Sequence, residues 1–129
     1  MGIRRAEANS LTQLGNMALV QDDVSGAEEF YRKGIYISQD ISAASITMEI
    51  LIGWADILSR KRLDQEAWQI LSFLSAELPN YADRLAMANR VKQRITTRVP
   101  ISTLELIEAQ DQELTLESLV KKLKADTVQ

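Results

Sequence analysis

Cysteine and histidine are both absent from the 129 residues. Without cysteine there is no disulfide framework, no thiolate metal ligand and no thiol nucleophile. Without histidine the commonest general base, every Ser-His or Cys-His nucleophile arrangement and the commonest metal ligand are lost together. Glycine (5) and proline (2) are scarce, so the chain has few strong turn signals. No apolar run approaches the ~20 residues that cross a bilayer. The opening MGIRRAEANS carries two arginines with no apolar segment behind them, so it does not read as a secretory signal. Neither GxxxxGK[ST] nor GxGxxG occurs, which removes the common phosphate cradles. The net charge of −3 supplies no broad positive field for nucleic acid or anionic membrane. The expectation is a cytoplasmic, non-enzymatic protein with no catalytic residues, cofactor or metal, no direct nucleic acid and no membrane.

What is present is helix-forming. With 46% hydrophobic and 26% charged residues the chain holds one domain's worth of core, and Ala, Leu, Ile, Glu, Gln and Arg dominate. Apolar residues at Ile3, Ala6, Leu11, Leu14, Ala18 and Leu19 recur at helical spacing and predict a first helix over about 3–21. A second follows over 24–38, with Asp23 placed to cap it. Ser42 is expected to cap a third helix reaching Arg60, whose buried stripe is Ile50, Leu51, Trp54, Ala55 and Leu58. Lys61 to Leu63 form a turn, and Asp64 opens a fourth helix running to about Leu78, stopped by Pro79.

Asn80 then caps a fifth helix to about Arg98, with Tyr81, Leu85, Ala88, Val91 and Ile95 as its apolar face. Ser102 and Glu105 have capping-box spacing for a short sixth helix to about Gln110. Thr115 caps a seventh, acidic at its start and basic at its end, as the helix dipole favours. The fold class is all-α, about seven helices, with 1–100 as hairpins (3–38 and 42–78, plus a helix over 80–98) and 101–129 as capping helices.

The two hairpins match each other at an offset of 40. Leu11, Leu14, Gly15 and Ala18 fall on Leu51, Trp54, Ala55 and Leu58, while Ala27 and Tyr31 fall on Ala67 and Leu71. Gly15 and Ala55 are small where paired helices cross closely, Ala27 and Ala67 are their small partners, and larger side chains fill the seams between hairpins. This pattern resembles the tetratricopeptide repeat, W-x2-L-G-x2-Y then A-x3-F then P, with Pro79 closing the second copy and no proline closing the first. The spacing exceeds the usual ~34 residues, which implies longer helices. The final stretch, with Thr115-Leu116-Glu117, is similar to tails that follow such arrays in large bacterial signal-transduction ATPases and transcriptional regulators.

The resemblance implies a superhelix of antiparallel hairpins whose first helices line a concave surface. It implies a protein–protein interaction module, the carboxyl-terminal sensor or regulatory segment of a larger bacterial protein, with a stand-alone peptide-binding adaptor or homodimerising scaffold as the alternative. Its partners would be a protein or peptide, upstream domains of the same polypeptide, or a second copy. The positions it places on the concave face are Asn9, Thr12, Gln13, Asn16, Glu49, Ile52, Asp56, Ser59 and Arg60. The basic residues with which some relatives grip a terminal carboxylate have no counterparts at the matching places.

Other features read as ordinary. In VQDDVSGAEEFY, placing Gly26 sixth in a calcium loop puts Gln21 first and Arg32 twelfth, where carboxylates are required, so the stretch is a turn and helix start. Glu105 and Glu108 could share a proton, but such spacing is common on solvated helices. Arg84, Arg94 and Arg98 share one side of the fifth helix, and charge pairing within the chain or plain solvation is expected in place of a nucleic-acid stripe. Trp54 is a seam residue and Trp68 a helix-surface residue.

Overall fold

The computed structural model describes residues 2–75, 82–110 and 115–126, and every element among them is helical. The order is α1 (Gly2–Val20), α2 (Val24–Asp40), α3 (Ala44–Arg60), α4 (Asp64–Leu74), α5 (Ala82–Thr96), α6 (Ile101–Gln110) and α7 (Leu116–Asp126). The expected cap at Asn80, the stop at Pro79, the end of α4 near Leu78 and the place of Tyr81 lie outside the described residues.

One turn joins each pair of helices from α1 to α4. Asp22, Ser42 and Arg62, at intervals of 20 residues, have φ of 59°, 54° and 66°. That left-handed residue reverses the chain, and the next N–H reaches back to the preceding helix. Asp23 donates to the Ala18 carbonyl at 2.7 Å, Ala43 to Ser38 at 2.8 Å and Leu63 to Leu58 at 2.8 Å. These are the bonds of a Schellman motif. The carbonyls of Asp23, Ala43 and Leu63 then accept from Ala27, Thr47 and Ala67, so the residue ending one helix starts the next.

Several sequence expectations change at these joints. Asp23 does cap α2, its carboxylate accepting from Gly26 N–H at 3.0 Å. Ser42 does not cap α3: it is the left-handed residue, Ala43 holds the cap position, and no side chain bonds there. Ser102 lies inside α6, which instead begins after Pro100, whose carbonyl accepts from Thr103 and Leu104. Thr115 caps α7 as expected, its hydroxyl accepting from Ser118 N–H while Ser118 Oγ accepts from Thr115 N–H, both at 3.0 Å.

In the tertiary packing α1, α3 and α5 lie side by side, α2 rests on α1 and α3, and α4 rests on α3 and α5. α6 covers α4, and α7 returns to lie against α2 and α3. The central helix α3 is therefore enclosed, and twelve of its residues are buried, as expected for a helix apolar nearly all round. Tyr31 is fully buried between two glycines. A methyl at Gly15 would sit 2.5 Å from its ring, and one at Gly53 would overlap its hydroxyl end. Ala27, Ala55, Ala67 and Leu71 are also fully buried.

The apolar face expected for α1 is only partly inside. Ala18 and Leu19 are buried, whereas Ile3, Ala6 and Leu14 are exposed. Leu85 on α5 is likewise exposed at 37% while Ala88, Val91 and Ile95 are buried. Trp54 is buried as expected. Trp68 is not a surface residue: α6 covers it, and its Nε1–H donates to Glu108 at 3.0 Å.

Candidate functional site

Side chains from α1, α3 and α5 meet along the face where these helices run together. Glu49 on α3 accepts from Asn16 Nδ2 at 2.9 Å and from Gln13 Nε2 at 3.4 Å, both on α1, and from Arg84 Nη2 on α5 at 3.2 Å. Two turns further along α3, Asp56 Oδ1 accepts from Arg60 Nε at 2.9 Å and Arg94 Nη1 at 2.6 Å. Arg60 also reaches Asp22 in the first turn at 3.0 Å. Tyr31 donates its hydroxyl proton to Asn16 Oδ1 at 2.5 Å, tying the layer beneath to this network.

The electrostatics follow from half-burial. The Tyr31 hydroxyl is held protonated to well above the usual tyrosine range, first by burial and then by the charges of Asp56 and Glu49, with Arg60 opposing them. Burial works against the charge on Arg60, but its bonds to Asp56 and Asp22 outweigh that, so its pKa is raised. A carboxylate left unpaired at either α3 position would be poorly solvated, which is why α5 brings an arginine to each.

Below the Asp56 group the same helices leave a cleft of about 260 Å³. Its walls include the buried Leu19, Ile52 and Val91, with Val20 and Met87 beside them, and its polar lining is Asn16, Asp56, Arg60, Arg90 and Arg94. Three guanidiniums thus face one carboxylate. Arg90 and Arg94 enter this cleft from α5, outside the two hairpins that match each other.

Of the nine positions assigned to this face, Asn16, Ile52, Asp56 and Arg60 line the cleft. Gln13 and Glu49 join the neighbouring network, and Asn9 is exposed. Thr12, Ile52 and Ser59 were expected to face solvent and are buried. Thr12 bonds the Ala8 carbonyl, Ile52 packs in the core, and Ser59 receives Arg98. The sequence predicts α5 as a helix but does not assign it to this face. Arg84 and Arg94 on α5, and Arg98 two residues past its end, pair with Glu49, Asp56 and Asp64 on α3 and α4. The signal was there as spacing: Arg84, Arg94 and Arg98 lie 35, 38 and 34 residues beyond their partners, about one hairpin.

Among the described residues no group of three or more His, Cys, Asp and Glu side chains is placed to hold a metal ion, and no helix is long and apolar enough to cross a membrane. No protein family, no curated protein and no solved structure matches the chain.

Proposed function

We propose that this chain is a non-enzymatic helical-repeat module of the tetratricopeptide kind that binds a protein segment in the cleft between α1, α3 and α5. The observation that carries the reading is the identical turn at Asp22, Ser42 and Arg62, which builds successive hairpins with their first helices side by side and their cleft facing one way. The lining suggests the partner's chemistry. A segment with a carboxylate beside an apolar side chain would pair with Arg90, which has no partner among the described residues, and set the apolar group against Val20 and Met87. Such a module serves as the sensor or regulatory segment of a larger protein, where occupation of the cleft sets the output of other domains.

The test is selection from a displayed random-peptide library, followed by fluorescence anisotropy on the enriched sequences. Enrichment of Asp or Glu next to apolar residues is expected, with affinity reduced several-fold to tenfold by Arg90→Glu, since an exposed pair contributes ~0.2–1 kcal/mol and its reversal adds repulsion. Absence of enrichment, or peptides bound equally well by Arg90→Glu, would overturn the reading.

A further inference from the structure

The outer face of α1 has no partner among the described helices. Ile3 is 85% exposed, Met17 58% and Leu14 43%, and Ala6 and Ser10 beside them are exposed too. At 100° per residue these five side chains fall within one narrow stripe, roughly 21 Å long from Ile3 to Met17. The register 40 residues on shows what such a face does inside the protein. Leu14 and Met17 correspond to Trp54 and Ile57 on α3, which are 4% and 0% exposed because other helices cover them.

The stripe is also complementary to itself. Reversing the helix about Ser10 sets Ile3 against Met17 and Ala6 against Leu14, apolar on apolar, and brings Ser10 to Ser10, a small residue where two helices must approach closely. The same reversal sets Glu7 opposite Gln13, a carboxylate facing an amide that can donate to it. Glu7 is the one charged residue on the stripe, so no like charges meet.

We propose that this face docks a second copy of the chain, α1 against α1 and antiparallel, with the two-fold axis at Ser10. A self-complementary patch of this kind closes as a dimer and does not propagate. One helix a side sits at the small end of the interface range, so the dimer is weak and concentration-dependent. The inference is independent of the cleft, which opens on another side of α1.

Because the chain has no cysteine, a single introduced thiol reports the axis directly. Sedimentation velocity through the micromolar range is expected to show mass rising from one copy to two, and Met17→Glu, on an exposed side chain, to hold it at one with helicity unchanged. Under mild oxidation Ser10→Cys is expected to cross-link to a covalent dimer at least tenfold faster than Gln93→Cys on the far helix α5. A single-copy mass at every concentration overturns the proposal. So does a dimer that persists in Met17→Glu, or one in which Ser10→Cys cross-links no faster than Gln93→Cys, either of which would place the contact elsewhere.

Discussion

Tyr31 touches the helix before it and the helix after it, and both approach closely because glycine stands at the contact. Gly53→Ala is expected to destabilise by about 1–3 kcal/mol in urea titration, since the ring is enclosed and cannot step aside. Combined with Tyr31→Leu the change should be less than additive, because the clash is then gone. The same hydroxyl makes the fold sensitive to alkali. Its pKa is raised in the folded state, so its contribution is complete below the unfolded value near 10 and is lost as pH rises beyond it. The melting temperature should fall as pH increases above about 10, and fall less in Tyr31→Phe. At the third turn Arg62 holds a left-handed conformation that opposes any Cβ. Arg62→Gly should raise stability by roughly 0.5–1 kcal/mol, the relief of strain exceeding the entropy of a glycine.

At the scale of elements, α5 and α7 hold their places by different means. Arg98, in the turn two residues past the end of α5, bonds the Ser59 carbonyl at 2.9 Å and its hydroxyl at 3.0 Å, and grips Asp64 with two nitrogens. A lysine cannot reproduce that fork, so Arg98→Lys should lose about 1–2 kcal/mol in chemical denaturation. α7 is held by apolar packing: Leu119, Val120 and Leu123 are buried, with Trp54, Leu58 and Ile70 close by around a small cavity of about 160 Å³. Lys124 stands 4.5 Å from the Tyr36 ring centre, and Lys122 lies near Glu66. Truncation after Pro100 removes α6 and α7 together, uncovering Trp68 and the apolar faces of α3 and α4. Lower melting and a red shift of tryptophan emission are expected, whereas an unchanged melt would mean that these helices stabilise nothing beneath them.

Across the whole molecule, helix identity and hairpin pairing were legible because each depends on residues near one another in sequence. The expected helices 3–21 and 24–38 differ from α1 and α2 by a residue or two at their ends. Ala27, Ala55 and Ala67, expected as small residues at close helix crossings, are buried. The candidate face was legible only in part. Asn16, Asp56 and Arg60 could be assigned to it from α1 and α3, but the cleft also needs Arg90 and Arg94, and their approach depends on where α5 crosses α3. Ser42 misled for a related reason: a serine before a helix reads as a cap, yet the joint demanded a left-handed residue there and the backbone bonds of the turn took precedence.

Composition, periodicity and the 40-residue register by themselves determined an all-α chain of about seven helices with matched hairpins, because these rest on backbone geometry and on which side chains tolerate close crossing. Tertiary structure alone decided that α3 is enclosed, that α5 supplies arginines to Glu49 and Asp56, that Trp68 lies under α6, and that Leu14 and Met17 remain uncovered. Each of those depends on burial between segments far apart in the chain, where desolvation and pairing act on the assembled helices and no local pattern records the outcome.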